Sequence, residues 1–316
     1  MKILVTPTSL QPGKNDKALY VLRKFTEYLV FNTTGKPLSE DALIPLLKDC
    51  DGYIAGLDEI TEKVIAASPG LKVISRYGAG YDRVDTEAAK RYGIKVTNTP
   101  GVNAQAVGEL AFGLILAAAR KIPYLSSETR KGAWVRSTGI ELKGKTLGIV
   151  GLGAIGKVVA ACAQGFGMKV LAYDPYINVS YCSSHEIDAV SFEELTSRSN
   201  VVSLHLPLLD STYHMMNAEA IGRLPDGAIL VNASRGGIID EDAAYEALKS
   251  GKLSGLGLDA FEKEPPGDSR LFEFDNVIAT PHTGAHTREA TEHMAELSIR
   301  NLVDVLSGRE CLYIVN

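Results

Sequence analysis

The side chains best suited to chemistry lie in three short segments, each following an apolar run of strand type. Val231-Asn-Ala-Ser-Arg235-Gly-Gly carries an arginine into a glycine-rich turn. Asp259-Ala-Phe-Glu-Lys-Glu264-Pro-Pro ends a strand in acids, and Val277-Ile-Ala-Thr-Pro-His282-Thr-Gly places a histidine just beyond another. A guanidinium fork matches a carboxylate through two hydrogen bonds. An imidazole moves a proton near neutral pH, and a carboxylate beside it orients the ring and supports its charged form. Each residue alone has an ordinary explanation: a surface arginine, a glutamate closing a loop, a hydrogen-bonded structural histidine. Together, at the carboxyl ends of strands where open α/β sheets bind ligands, they form a set that can grip a carboxylate and protonate a developing alkoxide.

A second motif supplies what such a set needs beside it. Gly151-Leu-Gly153-Ala154-Ile155-Gly156 follows the apolar run 147–150 and opens a helical stretch that reaches about residue 165. In that context Gly151 permits a tight turn and Gly153 lets a pyrophosphate approach the backbone. Gly156 lets the helix pack closely on the strand, and the helix N-terminus faces the phosphates. Asp174 ends the next strand, 18 residues beyond Gly156, where it accepts from ribose hydroxyls and repels a 2′-phosphate. No arginine stands nearby to welcome that phosphate, so the pattern favours NAD over NADP. The simpler alternative, a glycine-rich turn followed by a surface aspartate, leaves the ordered strand, helix and acid unexplained. Beside a nicotinamide, Arg235, Glu264 and His282 are what the reduction of a 2-keto acid requires.

The elements that position these residues alternate along the chain. Residues 3–6, 52–55, 73–76 and 95–97 read as strands, with helical stretches at 18–30, 41–48, 62–67 and 87–92. A turn-rich segment, 98–103, reads as a boundary or hinge. After a long helix at 104–121, a second series has strands at 146–150, 169–173, 201–204, 228–232, 255–259 and 277–279. Strands alternating with helices pair in parallel through right-handed crossovers. The expected fold is therefore α/β with two doubly wound parallel-sheet domains. Residues 99–284 form a Rossmann NAD-binding domain; residues 1–98, joined by a helical tail and the apolar run 312–315 within 285–316, form a flavodoxin-like substrate domain.

Size and composition agree. The 316 residues are 45% apolar and 22% charged, enough chain for two cored domains. The net charge of −5 leaves no basic stripe for nucleic acid or an anionic membrane. Cys50, Cys162, Cys182 and Cys311 form no CxxC pair and read as reduced, which fits a cytoplasmic protein. No targeting segment is expected at the start. The longest apolar run, 110–119, is ten residues, about half of what spans a bilayer.

Read as an ordered set, the motifs resemble the NAD-dependent D-2-hydroxyacid dehydrogenases, D-3-phosphoglycerate dehydrogenase branch, over essentially the whole chain. They are 76–85 (RYGAGYDRVD), 98–108 (NTPGVNAQAVG), 141–156 (ELKGKTLGIVGLGAIG), 205–212 (HLPLLDST), 232–240 (NASRGGIID), 259–266 (DAFEKEPP) and Pro281-His282. The resemblance implies Arg235, Glu264 and His282 as the catalytic trio. It also implies that backbone amides around Gly78, Ala79 and Gly80 bind the substrate carboxylate, as an anion-binding nest would. On the cofactor side it implies Asp259 at the nicotinamide amide, Thr212 and Ala233 among the NAD contacts, and His205 and Pro207 lining the adenine half. A simple strand-to-loop exit explains His205 and Pro207 equally well.

Such enzymes close a cleft over substrate, which places hinges near 98–101 and after 281–284, and they dimerise through the cofactor domain. The segment 104–136, with the apolar helix and Trp134, is the expected homodimer contact, unless Trp134 only covers the edge of its own domain. Two departures bear on substrate. The loop Gly56-Leu-Asp58-Glu59 is acidic where a phosphoglycerate dehydrogenase tends to carry a basic residue, and is expected to repel a phosphate. Arg76, Arg83 or Arg136 could compensate. The chain ends at Asn316, so an appended regulatory domain is not expected. Phosphohydroxypyruvate, hydroxypyruvate and glyoxylate-like acids lead as substrates. A reductase of larger unphosphorylated keto acids and an NAD-sensing binding protein of the co-repressor kind are the alternatives.

Overall fold

The computed structural model describes residues 1–316. They form two compact units, Met1–Asn103 with Ala285–Asn316, and Ala104–Gly284.

In the first unit the chain runs β1 (Lys2–Val5), α1 (Asp16–Phe25), β2 (Tyr28–Phe31), α2 (Glu40–Leu47), β3 (Gly52–Ala55), α3 (Glu62–Ala66), β4 (Val73–Arg76), α4 (Thr86–Arg91) and β5 (Lys95–Thr97). The sheet is parallel in the order β2-β1-β3-β4-β5. Successive strand side chains point to opposite faces, and here both faces are apolar. Leu4, Tyr53, Ala55, Ile74 and Val96 pack towards α2, α3 and α4. Ile3, Val5, Ile54 and Val73 pack on the other side, against α1 and residues 294–302 of the chain's last helix. Ser75 Oγ donates to the Ser298 carbonyl (2.8 Å) and Val315 N–H to the Val96 carbonyl (2.9 Å), which ties the tail onto this sheet.

The second unit begins with α5 (Ala104–Arg120) and α6 (Ile122–Arg130). It continues β6 (Thr146–Val150), α7 (Ala154–Gly165), β7 (Lys169–Tyr173), α8 (Val179–Ser184), β8 (Ile187–Ala189), α9 (Phe192–Arg198), β9 (Val201–Leu204), α10 (Ala218–Arg223), β10 (Ala228–Asn232), α11 (Glu241–Ser250), β11 (Leu253–Leu258) and β12 (Val277–Ala279). The remaining helix, α12 (Arg288–Leu306), belongs to the first unit. The parallel order is β12-β11-β10-β9-β6-β7-β8. Strands β6, β7 and β8 run outward in one direction, whereas β9 returns to the other side of β6 and β10–β12 extend from it. The carboxyl ends of β6 and β9 thus flank the topological switch point where such sheets bind ligands.

Three readings of the sequence need correction. The expected helix at 18–30 is helix α1 followed by edge strand β2, because Thr26 turns extended and its hydroxyl bonds the Met1 carbonyl and the Tyr28 N–H. Strand β8 was not anticipated; it has three residues at a sheet edge. Asp58 does not present charge to a ligand. It is 1% exposed, accepting from Leu38 N–H (2.6 Å), Tyr53 OH (2.7 Å) and the Thr6 hydroxyl. Only Glu59 of that acidic pair faces solvent. Burial, reinforced by the Asp58 charge, pushes the Tyr53 phenol well above its usual range, so it stays a donor.

Removing the acceptor strands three donors in the core, a cost of about 2–4 kcal/mol. Asp58→Ala is therefore expected to lower the urea-unfolding free energy by about that amount. Glu59→Ala, on the exposed neighbour, is expected to change it by less than about 0.5 kcal/mol.

Candidate active site

Three adjacent strands deliver the candidate residues. Arg235 follows β10, Glu264 lies beyond β11, and His282 follows β12. None sits on a regular element, so side-chain bonds must fix each turn. After β10, the Asn232 Oδ1 accepts from Ser234 N–H (3.0 Å) and Ser234 Oγ (2.7 Å), while its Nδ2 donates to the Arg235 carbonyl (2.7 Å). The Arg235 guanidinium, half-buried, donates to the Ser234 carbonyl at 2.7 Å. Gly236 then lies directly on the neighbouring loop, where a Cβ would fall 1.8 Å from the Phe261 carbonyl oxygen. Only glycine permits that approach.

His282 occupies a left-handed backbone conformation, φ 49°, uncommon for a residue with a side chain. Asp259, at the end of β11 and 2% exposed, holds the turn. Its carboxylate accepts from Thr280 Oγ1 (2.7 Å), Thr283 N–H (2.8 Å) and Gly284 N–H (2.8 Å). A carboxylate offers about four lone-pair sites, so roughly one remains for an outside donor such as an amide. So held, His282 Nδ1 meets Glu264 Oε1 at 2.8 Å. The same oxygen accepts from Phe261 N–H at 3.3 Å. Because an ionised carboxylate only accepts, Nδ1 carries the proton, and Nε2 is the ring nitrogen left for an outside group. The His282 and Glu264 side chains are 27% and 17% exposed, low enough to strengthen their bond and open enough for Nε2 to reach a ligand.

The glycine motif lies across the switch point. Gly151 has φ 98°, and a Cβ there would lie 2.6 Å from the His205 carbonyl oxygen. A Cβ on Gly156 would lie 2.2 Å from the Gly151 carbonyl oxygen, so α7 can start this close only with glycine. Gly153 is different: nothing lies within 4 Å of its Cβ position, and no side chain caps α7. The N–H groups of Ala154, Ile155 and Gly156 therefore open the helix beside free space, as a pyrophosphate requires. Asp174, just past β7, accepts from Leu152 N–H (2.9 Å) and Tyr176 N–H (2.8 Å), which aims it from the glycine turn with lone pairs to spare for ribose hydroxyls. These residues fit a dinucleotide.

His205 and Thr212 frame the loop after β9. Thr212 Oγ1 accepts from Leu209 N–H (2.8 Å) and donates to the Pro207 carbonyl (2.7 Å). His205 Nε2 pairs with Ser203 Oγ at 2.9 Å, whereas Nδ1 is sealed from solvent without a partner. Ala233 is buried in the Asn232 turn and Pro207 is exposed. In the first unit, Gly78, Ala79 and Gly80 have their carbonyls tied back by Thr99 N–H (3.0 Å), Asn98 Nδ2 (2.7 Å) and Arg76 Nε (3.1 Å), and no protein acceptor meets their N–H groups. Reading the sequence missed Asn232 and the hold of Asp259 on the His282 turn. The Asn-x-Ser spacing after a strand, an Asx-turn signature, was the available signal for the first.

The family model for the D-isomer specific 2-hydroxyacid dehydrogenase, NAD binding domain, matches residues 112–284. D-3-phosphoglycerate dehydrogenase of Methanocaldococcus jannaschii is 42% identical over 320 residues, covering 100% of this chain and 59% of that protein, so the chain spans under two thirds of that relative. Hydroxypyruvate reductase of Thermotoga maritima is 44% identical over 263 residues, covering 81% of this chain and 85% of that one. The structure of D-lactate dehydrogenase from Aquifex aeolicus, complexed with NAD and lactic acid, superposes with a TM-score of 0.86 at 30% identity, covering 97% of this chain and 96% of that one. The chain belongs to the D-isomer specific 2-hydroxyacid dehydrogenase family of NAD-dependent oxidoreductases.

Burial pushes His205 down to about 4, so the ring is neutral at physiological pH. A pKa lower when folded means that the unfolded chain takes the proton first. The associated stability is present above about pH 6.5 and is lost as pH falls towards 4, at up to about 1.4 kcal/mol per unit. Urea unfolding at pH 7 and pH 5 is expected to show a larger loss for the native chain than for His205→Gln.

Proposed function

We propose that the chain interconverts a D-2-hydroxy acid and its 2-keto acid using NAD, with His282 as the general acid and base. The observation carrying this reading is the 2.8 Å Nδ1–Oε1 bond between His282 and Glu264 at the strand ends of the NAD-binding unit. When bound, the nicotinamide supplies or accepts the hydride at substrate C2. The residues of the chain do the rest. In the reducing direction, His282 Nε2 gives its proton to the oxygen of C2 as negative charge develops there. Glu264 supports the imidazolium before transfer and fixes the tautomer after it. Arg235 binds the substrate carboxylate and polarises the carbonyl.

The free N–H groups of Gly78, Ala79 and Gly80 support their role as a carboxylate nest. On the cofactor side, the helix start at Gly151, Gly153, Ala154, Ile155 and Gly156 takes the pyrophosphate and Asp174 the ribose. Asp259 offers its remaining lone pair to the nicotinamide amide, and the segments of His205, Pro207, Thr212 and Ala233 complete the NAD wall.

For substrate, the reading favours small unphosphorylated acids such as hydroxypyruvate and glyoxylate. Arg76, 4% exposed, donates to the Ala55 (2.8 Å) and Gly80 (3.1 Å) carbonyls, which engages it within its own unit. Glu59 still places a negative charge in the loop after β3. A homodimer through the second unit is supported by exposed Trp134 (80%), Ile122 (53%) and Val135 (42%). The four free cysteines fit a cytoplasmic setting.

The test is NADH absorbance with purified protein against 2-keto acids, phosphohydroxypyruvate included. Fast turnover of an unphosphorylated acid is expected, with kcat falling about 10²–10⁴-fold in His282→Ala while NADH still binds. Equal turnover in that variant overturns the assignment of His282, and preference for the phosphorylated acid overturns the substrate reading.

A further inference from the structure

Outside the groups that meet substrate or cofactor, one cluster of ionisable side chains is bound directly to the backbone that carries Glu264. Glu241, the first residue of α11, turns its carboxylate away from the helix, and Oε1 accepts from Glu262 N–H at 2.8 Å. Glu262 reciprocates, its Oε1 accepting from Glu241 N–H at 3.1 Å. The result is a two-way clasp between α11 and the loop after β11. Burial raises the Glu241 carboxyl, and the neighbouring Glu262 charge adds to that rise. Acids placed in a helix's first turn only for its dipole need no such clasp.

The surroundings offset that cost. His214 Nε2 sits 3.0 Å from Glu262 Oε1, and its Nδ1 lies 3.9 Å from Asp240 Oδ2. The His214 ring is stacked on Tyr213, with centroids 4.0 Å apart, and the His214 backbone N–H donates to the Gly237 carbonyl at 2.7 Å. On the other side of the clasp, Gly236 presses on the Phe261 carbonyl.

Consecutive N–H groups of the loop thus have opposite duties. That of Phe261 holds the Glu264 carboxylate, and that of Glu262 is held by Glu241. A shift of this peptide moves the oxygen that faces His282. We propose that Glu241 is a positioning residue, which through Glu262 and Phe261 fixes the reach of Glu264 to His282 and couples the Arg235 turn to the Glu264 loop. The proposal rests on the proton-transfer role given above to His282 and Glu264.

Kinetics and magnetic resonance test it together, the latter without requiring turnover. Glu241→Ala is expected to lower kcat about tenfold, with the NADH dissociation constant and substrate KM within about twofold, because misplacement of the carboxylate affects the proton step and not binding. Glu241→Gln keeps an acceptor oxygen and restores most of the rate. In a Glu264→Gln background, Glu241→Ala is expected to add no further loss, since coupled residues are non-additive. The downfield proton resonance of His282 Nδ1–H, assigned by its loss in His282→Ala, is expected to move or broaden in Glu241→Ala and to persist in Glu241→Gln. If Glu241→Ala does not fold, Glu262→Ala, at an exposed side chain, reads the same coupling. An unchanged rate per NADH-binding site with only a lower Tm, or independent multiplication of the Glu241 and Glu264 effects, overturns the proposal. If the native chain turns over no keto acid, the functional reading fails, and the resonance still decides whether Glu241 positions Glu264.

Discussion

A carboxylate and an imidazole joined across 2.8 Å tolerate little error in the backbone that carries them. Neither Glu264 nor His282 lies on a helix or strand. The surrounding structure can be understood as supplying the rigidity their loops lack. Parallel strands β10, β11 and β12 bring three turns to one sheet edge. A polar group then locks each turn: buried Asn232 behind Arg235, buried Asp259 behind His282, and the more exposed Glu241–Glu262 clasp behind Glu264. The bonds to the buried Asp259 carboxylate are charge-assisted and worth about 1.5–3 kcal/mol each, and the neutral bonds of Asn232 about 0.5–1.5 kcal/mol, which suits them to holding an irregular backbone in one conformation.

The same sheet separates two kinds of turn. Crossing the switch point from β9 to β6 changes the chain from turns rich in hydrogen-bonding side chains to one built from glycine. On the β6 side the bare helix start and Asp174 present backbone donors and one acid, as phosphates and a ribose require. On the β10–β12 side the side chains are charged and titratable. Under the proposed function, cofactor binding and proton transfer use different parts of one sheet, so a change in one need not disturb the other.

How much of this could be read in advance depended on the range of the interactions. Both parallel sheets, the glycine turn and the strand-end turns that carry Arg235, Glu264 and His282 were legible because strand alternation, helix starts and turn residues are local patterns. Strand β2 was not, because the apolar positions of α1 run on into Tyr28–Phe31 and only the extended Thr26 separates them. Asp58 looked like a surface charge because its partners, Thr6, Leu38 and Tyr53, come from three other segments. Glu241 gave no local signal for the same reason: its partner lies 21 residues away on another loop.

The backbone of His282 shows why the buried Asp259 matters beyond stability. A left-handed conformation at a residue with a side chain costs on the order of 1–2 kcal/mol and persists only where its surroundings determine it. Asp259 supplies that determination, binding Thr280 on one side of His282 and Thr283 and Gly284 on the other. A relaxed turn would release the strain and rotate the imidazole away from Glu264. The strain is therefore tied to the direction of Nδ1, and the aspartate that offsets it also aims the histidine.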